Sequence, residues 1–487
     1  LIRSGVPIER LAAITFTEKA AAELAERARK ELEKAAHGHE DYPGIPLDEQ
    51  HLCRAAIRDL DSAALQTLHS FARKILALYP LEAQLPPDVQ VLDDVEGLID
   101  FRERWRAFME GLFSEESPLR DPLLIGMALN LRPKDLERLG LKFHDNWDRL
   151  LDVEFEAVPS APLSVSAVFD PLAEAMARRS ECFNEDDKLL QHLDGLEGVM
   201  AALTLLQGAD QLSIARVFLG LPGVSRGSGR HGQAKNWRRG VEPIRELLRK
   251  SDAAVAEQIE ATRRAVLCAL LPHIRQFVLD YASDRRTEGR IGFQDMLVFA
   301  VELLRQQPSV RRALHERYTH ILIDEFQDTD PLQVELAALL AGHPDAAPGP
   351  WDATVVEPGR VFFVGDPKQS IYRFRRADIG LFNKTRGAFG SRHVELLTNF
   401  RSTPVILDWV NGVFERLFEF DRGNLQQAEW RSLQAPGAAG KQKPLRVRVM
   451  GGPLDLNAED IRREEAEKIA GAIQHARDGL GYRLSDM

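Results

Sequence analysis

The chain has 487 residues, enough for roughly two to four domains, and its 44% hydrophobic content is ordinary for globular cores. A formal net charge of −11 excludes a generally basic, histone-like binder of nucleic acid, although a local DNA channel remains compatible with it. No apolar run approaches the ~20 residues that span a bilayer, and the three cysteines form no CxxC pair, so we expect a cytoplasmic protein with no membrane contact, disulfide framework or zinc ribbon.

The N-terminal part of the chain predicts short strands that alternate with helices. An apolar strand over residues 11–16 leads into an alanine-rich helix, for which Thr15 or Thr17 can supply the N-cap hydroxyl. A further helix is predicted over 52–60. After it, residues 64–71 predict the end of a strand that runs into another helix. This alternation is typical of an α/β domain.

From about residue 80 to 280, leucines recur at spacings of three and four without buried strands, which predicts an all-α insertion. The loop over 226–240 interrupts it and carries five cations and no acid between Arg226 and Arg239. Two interpretations stay open: the loop contacts duplex phosphates, which attract cations whatever the sequence, or it is a flexible solvated loop. Trp237 is its one possible stacking group.

The last third of the chain predicts further strands, at residues 321–323, 361–364, 394–397 and 445–450. Ser402 followed by Pro404 predicts the start of a helix. The whole pattern indicates an α/β protein with a helical insertion.

Two acids follow the apolar run at 321–323. A short run of this kind is typical of a buried parallel strand that brings carboxylates to the C-terminal edge of its sheet. Magnesium bound to phosphates takes oxygen ligands and keeps several waters, so Asp324 can hold Mg²⁺ and Glu325 can polarise an attacking water. An isolated Asp-Glu pair is more often a solvated or capping pair, so this interpretation depends on the motifs around it.

An ATP-driven motor also needs phosphate sensors and a platform for the base. The amide of Gln369 both donates and accepts, as a sensor of the γ-phosphate must. The planar fork of Arg401 matches phosphate oxygens, and Phe400 beside it can stack on adenine. Arg401 alone would more often be a salt-bridge partner, but its place before a predicted helix start favours a sensor.

Six segments resemble motifs of the UvrD/Rep-type superfamily 1 helicases, in family order. The three nucleotide-site motifs are IDEFQDT at 323–329, GDPKQSIYRFR at 365–375 and NFRS at 399–402. The two early DNA-contacting motifs are AITFTEKAAAEL at 13–24 and TLHSF at 67–71, and GFQDML at 292–297 resembles the segment that leads back into the motor domain.

This resemblance implies a RecA-like P-loop NTPase motor domain made of residues 1–80 and 281–396. It also implies a helical insertion domain at 81–280 and the truncated start of a second RecA-like domain at 397–487. ATP and Mg²⁺ are the implied cofactors.

The resemblance also implies roles for single residues. It places magnesium at Asp324 and the catalytic base at Glu325. Gln369 and Arg401 lie at the γ-phosphate in this assignment. Phe400 takes the adenine-stacking position, where the family usually has Tyr, and a phenyl ring preserves the stacking.

The resemblance places six residues near single-stranded DNA: Thr15, Phe16, His69, Tyr372, Phe374 and Arg375. Aromatic side chains stack bases at ~1–3 kcal/mol each without reading sequence. His69 could instead be a structural histidine at a helix start. Tyr372 and Phe374 could instead be aromatic residues of the core. Many members of the family have Trp at the position of Phe374. Arg376, where many relatives have Gly, adds charge near the expected DNA groove.

The implied function is an ATP-dependent 3′→5′ DNA helicase that acts on single-stranded and duplex DNA in repair or recombination. The Tyr-Arg-Phe-Arg run and the large insertion resemble AddA and RecB, which are parts of helicase–nucleases, and this implies a possible partner subunit. The sequence contains no Gly-x-x-x-x-Gly-Lys-Ser/Thr loop. In the family that loop would precede Leu1, and later motor motifs would follow Met487, so we expect both ends to be truncations.

We therefore expect the longer parent protein to hydrolyse ATP and this chain alone to be inactive. Two rival interpretations remain open. One is a non-catalytic DNA-binding or scaffold subunit that has lost its phosphate loop, and the other is a helicase fused to a C-terminal nuclease. The codons upstream of Leu1 and beyond Met487 discriminate between them.

Overall fold

The structure is a computed structural model that describes residues 1–156, 158, 161–347, 349, 351, 356–389, 392–418, 428–436 and 455–484. Its strands are β1 (Leu11–Thr15), β2 (Ala64–Thr67), β3 (Gln90–Val91), β4 (Arg290–Ile291), β5 (His320–Ile323) and β6 (Val361–Phe363). Its helices are α1 (Glu18–His37), α2 (Leu47–Arg58), α3 (Leu68–Leu78), α4 (Asp94–Phe113), α5 (Arg120–Ala128), α6 (Pro133–His144), α7 (Val165–Ala177), α8 (Lys188–Asp194), α9 (Glu197–Leu205), α10 (Gln211–Gly220), α11 (Glu242–Glu288), α12 (Phe293–Gln306), α13 (Pro308–Arg317), α14 (Pro331–Ala341), α15 (Ile379–Phe389), α16 (Pro404–Leu417) and α17 (Ala458–Leu480). Helices and a parallel sheet therefore occur together, as the α/β prediction requires.

The main sheet has the strand order β2-β1-β5-β6. Strands β1 and β2 are parallel, with Ala12 opposite Ala64 and Thr15 opposite Thr67. Along β5 and β6 the Ile321 amide donates to the Arg360 carbonyl, and the Val364 amide donates to the Ile323 carbonyl. The hydrogen-bonded residues increase in residue number along both strands, which is the pattern of a parallel pair. This confirms the buried parallel strand predicted before Asp324.

Threonines begin the helices that follow β1 and β2. Thr17 is the N-cap of α1, where its hydroxyl accepts a 3.1 Å hydrogen bond from the Ala20 amide. Thr67 caps α3 in the same way, with a 3.2 Å hydrogen bond from the Ser70 amide. The cap of α1 is thus the second of the two predicted candidates, and Thr15 belongs to the strand.

A second, two-stranded sheet pairs β3 with β4 in parallel, with Gln90 opposite Arg290 and Val91 opposite Ile291. The sequence did not predict these strands. The described elements between them are helices and short 3₁₀ segments, and α11 alone runs for 47 residues. Gly289 ends α11 with a φ of 70°, and a Cβ there would lie 2.4 Å from Cγ of Pro86.

Two apolar cores lie among these helices. One is built on α7, α10 and the first half of α11, and it includes Trp237, which is only 4% exposed. The other surrounds Phe101, Trp105 and Tyr281 on α4 and the second half of α11. Trp237 is therefore a core residue, and its interpretation as a stacking group on the basic loop is wrong.

A buried polar cluster lies between α11 and α12. Arg285 donates two hydrogen bonds, of 2.8 and 2.7 Å, to the carboxylate of Asp295, which also accepts a 2.8 Å hydrogen bond from Nε1 of Trp147. Burial alone would raise the pKa of Asp295, but the hydrogen bonds and charge of Arg285 outweigh it and the pKa is lowered. Burial, together with the charge of Arg285, lowers the pKa of His144 to about 4.

The chain divides into two compact units. The first comprises Leu1–Ile321, Glu335–Pro348 and Val355–Val361, and the second comprises Leu322–Val334, Gly349–Thr354 and Phe362–Met487. The first holds the helical cores, and the second holds the segments that follow β5 and β6 together with α15, α16 and α17. The finer division into four domain segments and the all-α insertion stay predictions.

Three sequence predictions in the second unit have different outcomes. Residues 394–397 form no strand; only Thr398 makes a bridge, to Gln434, because the described residues give it a single neighbour. The strand predicted at 445–450 lies outside the described residues. The predicted helix start is confirmed with Pro404 at its first position, although the N-cap is Thr403 and not Ser402.

The three cysteines are free thiols. Among the residues that the structure describes, no helix is both long and apolar enough to cross a membrane.

Candidate nucleotide and DNA sites

The two predicted acids occupy the turn directly after β5. Asp324 and Glu325 are both exposed, and Oδ1 of Asp324 accepts a 3.0 Å hydrogen bond from the Glu325 amide. Glu325 has a φ of 53° and a ψ of 40°, the left-handed region that residues with a Cβ rarely adopt. Such strain persists only where the surrounding contacts hold it, and it is common at functional sites.

Gln327 supplies those contacts, although the sequence interpretation gave it no role. Its side chain is buried, and Nε2 donates a 2.7 Å hydrogen bond to the carboxylate of Glu325. Its Oε1 accepts a 2.9 Å hydrogen bond from the backbone amide of Asp366, at the carboxyl end of β6. The signal for this residue was its amide, which both donates and accepts hydrogen bonds without carrying a charge.

The strand that leads to Asp366 approaches Gln327 very closely. A Cβ at Gly365 would lie 2.7 Å from Oε1 of Gln327 and 3.0 Å from the Phe326 amide nitrogen. Only glycine permits this approach. The Phe326 ring stacks on Phe363 with centroids 4.2 Å apart, which fixes the two strand ends side by side.

Gln369 lies in the short 3₁₀ segment after β6, and Asp366 begins that segment. Nε2 of the Gln369 side chain donates a 3.1 Å hydrogen bond to Oδ2 of Asp366. The predicted sensor is thus connected to Glu325 through Asp366 and Gln327. Burial, with the nearby charge of Glu325, raises the pKa of Asp328.

These residues fit a magnesium ion that arrives with a nucleotide. No group of three or more His, Cys, Asp or Glu side chains placed to hold a metal occurs within the described ranges. Magnesium sites that serve phosphates usually have one or two carboxylates and several waters, which the exposed Asp324 suits. The role of Asp324 stays a prediction.

Phe400 and Arg401 lie at the start of α16 and are both exposed, Phe400 by 82%. The Asn399 side chain orders this turn, because its Oδ1 accepts hydrogen bonds of 2.9 and 2.8 Å from the Arg401 and Ser402 amides. In the part of the chain that the structure describes, no ion pair or side-chain hydrogen bond joins Arg401 to the strand-end carboxylates. Their nucleotide roles stay predictions.

The predicted aromatic pair follows the 3₁₀ segment of Gln369. The rings of Tyr372 and Phe374 lie 5.7 Å apart at 44°, and Phe374 is 79% exposed. An exposed ring of this kind is available for stacking, whereas a core aromatic would be buried. The side chain of Arg375 lies outside what the structure describes.

Arg376 has a different role from the one expected. It adopts a φ of 70°, in the left-handed region that favours glycine, and its Nε lies 3.0 Å from Oδ2 of Asp330. Both side chains are largely buried. The expectation that Arg376 adds charge to a DNA groove is therefore wrong, because this cation is neutralised inside the second unit.

The DNA candidates of the first unit surround the ends of β1 and β2. Thr15 is buried and its hydroxyl donates a 3.1 Å hydrogen bond to the Thr17 carbonyl, whereas Phe16 is half-buried. His69 contacts the half-exposed ring of Phe293 edge to face, with centroids 5.9 Å apart. Phe293 was not predicted individually, and it adds an aromatic surface beside His69.

One carboxylate holds these strand ends together. Glu18, at the start of α1, accepts a 2.7 Å hydrogen bond from the Thr67 hydroxyl and a 2.9 Å hydrogen bond from the Ser70 hydroxyl. The two early motifs are thus joined directly. Whether their residues bind DNA stays a prediction.

Comparison with known proteins supports the resemblance. The chain is 28% identical over 494 residues to the A subunit of the ATP-dependent helicase/nuclease of Streptococcus sanguinis (strain SK36), with 91% of this chain and 38% of that protein covered. It is 25% identical over 522 residues to the protein of the same name from Clostridium novyi (strain NT), covering 96% and 40%. It is 23% identical over 487 residues to the exonuclease/helicase subunit RexA of Lactococcus lactis subsp. cremoris (strain MG1363), covering 89% and 38%.

The chain spans about two-fifths of the length of these relatives. Residues 1–390 match the UvrD/REP helicase N-terminal domain, which is most of the chain. The motifs after β1, β2, β5 and β6 all lie within that match. The chain therefore belongs to the UvrD/REP helicase family.

Proposed function

We propose that the protein containing this chain is an ATP-dependent DNA helicase that moves 3′→5′ on single-stranded DNA in repair or recombination. The observation that supports this most directly is the Gln327 amide, which joins Glu325 to the loop that carries Gln369. A motor needs such a connection between its hydrolytic carboxylate and its phosphate sensor. The names of the relatives, which are helicase/nuclease and exonuclease/helicase subunits, agree with this proposal.

The chemistry assigned to each residue follows from its position. Asp324 would hold Mg²⁺ through its water shell, and the ion would neutralise charge on the phosphates. Glu325, fixed by Gln327, accepts a proton from the attacking water, and Gln369 senses the γ-phosphate. The guanidinium of Arg401 binds the phosphates and offsets their negative charge, and Phe400 stacks on adenine. The sequence holds no Gly-x-x-x-x-Gly-Lys-Ser/Thr loop, so we propose this activity for the full-length protein and not for the chain by itself.

The test is Glu325→Gln in the full-length protein. The substitution keeps the shape of the side chain and removes the base, so we expect ATP turnover to fall by ~10²–10⁴ and unwinding to stop. Affinity for a single-stranded oligonucleotide should be unchanged. Phosphate release, strand separation and fluorescence anisotropy measure the three quantities.

Glu415→Gln is the matched control, because Glu415 is an exposed carboxylate in the last turn of α16 and belongs to none of the six motifs. It should behave as the unmodified protein does. If the Glu325→Gln protein still hydrolyses ATP at a normal rate, Glu325 is not the base. A full-length protein that binds DNA without any ATP turnover would favour the non-catalytic scaffold instead.

The proposed partners are single-stranded DNA, duplex DNA and a second helicase–nuclease subunit, in the cytoplasm. For the duplex, the relevant surface is the basic loop, which is held just before its start and again in its second half. Asp252 accepts hydrogen bonds of 2.7 and 2.9 Å from the Val224 and Ser225 amides. Buried Asp187 accepts bonds of 3.0 and 2.8 Å from the Gln233 amide and the Asn236 side chain.

This loop presents its cations to solvent. All five are exposed, and among the described residues none forms an ion pair: Arg226, Arg230, Lys235, Arg238 and Arg239. A firmly held set of unpaired cations favours phosphate contact over the alternative of a flexible loop, because little order has to be gained on binding.

A further inference from the structure

The loop that follows β6 is fastened to the acidic run after β5 at more than one point. Near its beginning, the Asp366 amide donates to Oε1 of Gln327 at 2.9 Å. In its middle, the Ser370 hydroxyl donates a 3.1 Å hydrogen bond to the Gln327 carbonyl. At its far end, Arg376 pairs with Asp330 at 3.0 Å. The aromatic pair Tyr372 and Phe374 lies between the second and third fastenings.

Gln327 takes part in the first two of these contacts and in one more. Its Nε2 holds the carboxylate of Glu325 at 2.7 Å, while its Oε1 and its carbonyl hold the loop. The side chain is only 2% exposed and closely packed. It therefore cannot exchange one contact for another unless its neighbours also move. A displacement of the loop therefore changes the position of the Glu325 carboxylate.

The far fastening makes this connection stiff. Asp330 also accepts a 2.7 Å hydrogen bond from the Leu332 amide at the beginning of α14. Because Arg376 attaches the end of the loop to that helix start, the segment between Ser370 and Arg376 cannot move freely at either end. When a base stacks on the exposed Phe374, the resulting shift is passed back toward Ser370 and Gln327.

We infer that Gln327 is a positioning residue through which binding of DNA bases at Tyr372 and Phe374 sets the orientation of Glu325 for hydrolysis. The inference rests on the proposed function and adds to it a route by which DNA regulates the nucleotide site. Gln327 itself touches neither nucleotide nor DNA. Its contribution should therefore appear in the acceleration of hydrolysis by DNA, and not in the binding of either ligand.

The experiment compares two substitutions in the full-length protein. Gln327→Met keeps the length of the side chain and removes the hydrogen bonds that the side chain makes. Gln327→Glu keeps an acceptor for the Asp366 amide but loses the donor to Glu325. For both we expect the ratio of DNA-stimulated to basal ATP hydrolysis to fall by about tenfold, within the usual range of coupling between sites. The KM for ATP and the Kd for a single-stranded oligonucleotide should change less than about threefold.

Ser370→Ala is the second test, because it removes a single hydrogen bond to Gln327 and carries little risk for folding. We expect it to lower the same ratio by a smaller factor. Gln306→Met is the matched control, because Gln306 is an exposed amide at the end of α12, outside the segments that follow β5 and β6. Its ratio should equal that of the unmodified protein.

The outcomes separate this inference from the function on which it rests. An unmodified protein whose ATP hydrolysis is not stimulated by DNA overturns both. A stimulated unmodified protein with equally stimulated Gln327→Met and Ser370→Ala variants overturns the inference alone. So does a loss of stimulation that is matched by equal losses in ATP and DNA binding, because that pattern indicates a merely structural residue.

Discussion

At Gly365 a single added methyl group would collide with the loop that carries Glu325. The nearest atoms are Oε1 of Gln327 at 2.7 Å and the Phe326 amide nitrogen at 3.0 Å, and the second belongs to backbone that cannot rotate away. We expect Gly365→Ala to destabilise the protein by about 1–3 kcal/mol, the usual cost of overpacking. Urea unfolding followed by tryptophan fluorescence measures the change.

Gly412→Ala provides the control for this prediction. Gly412 lies inside α16, and a Cβ there would meet nothing within 4 Å. Alanine is the better helix former by about 0.8–1.0 kcal/mol, so this variant should be more stable, not less. Two glycine substitutions of opposite sign would show that the effect at Gly365 comes from its neighbours. Equal effects would contradict the close approach.

Single residues also show how far the sequence could predict the site. Asp324, Glu325 and Gln369 could be located because each follows an apolar run, and strand ends are legible from such runs. Gln327 could not be assigned, since its importance arises from hydrogen bonds to Asp366 and Ser370, about forty residues away. The prediction for Arg376 is wrong for the same reason, because its partner Asp330 is distant in sequence.

At the scale of elements, the pair Arg285–Asp295 joins α11 to α12. Both side chains are buried, and Asp295 is also bonded to Trp147. Removing one partner leaves the other as an uncompensated buried charge, so we expect Asp295→Ala to cost about 3–5 kcal/mol. A fall in the midpoint of thermal or urea unfolding measures it.

The double variant Arg285→Met with Asp295→Leu distinguishes a lost ion pair from lost packing. Replacing both members by apolar residues of similar volume is often neutral, so we expect the double variant to be more stable than Asp295→Ala. If the double variant is the less stable of the two, the contacts that Arg285 makes apart from Asp295, such as its position 4.2 Å over the Tyr281 ring, contribute more than the ion pair.

The elements differ in how well the sequence predicts them. Short apolar strands such as β1 and β5 agree with their predicted bounds within a few residues, and the alanine-rich helix predicted after β1 is α1. The pair β3 and β4 could not be predicted, because each strand has two residues and the pairing joins positions 200 apart in sequence. The strand expected over 394–397 has a suitable pattern, but its described pairing is limited to the bridge at Gln434, and pairing is what makes a strand.

At the scale of the whole molecule, the net charge of −11 makes the unpaired cations of the basic loop distinctive. We expect Arg238→Ala combined with Arg239→Ala to weaken binding of blunt duplex DNA and to reduce its salt dependence by about two units of slope, one for each cation removed from a phosphate. Affinity for a single-stranded oligonucleotide should stay the same. Anisotropy titrations between about 50 and 200 mM salt, conditions over which such slopes are resolved, measure both.

Arg178→Ala combined with Arg179→Ala is the matched control for charge. These two arginines are paired with Glu174, Asp194 and Glu197, so their cations are already occupied. Their loss should leave the duplex slope unchanged. An equal reduction in both double variants would mean that total charge, and not this loop, attracts the duplex.

The short ladder of β3 and β4 has a consequence for how the family can vary. The chain departs at Val91 and returns at Ile291 directly beside the point of departure. Because the two ends of the intervening segment are held side by side, its length and contents can change without displacing the strands on either side. The close packing of Gly289 against Pro86 keeps those ends together. The helical segment between these two strands can therefore be exchanged as a unit while the strands on either side stay in place.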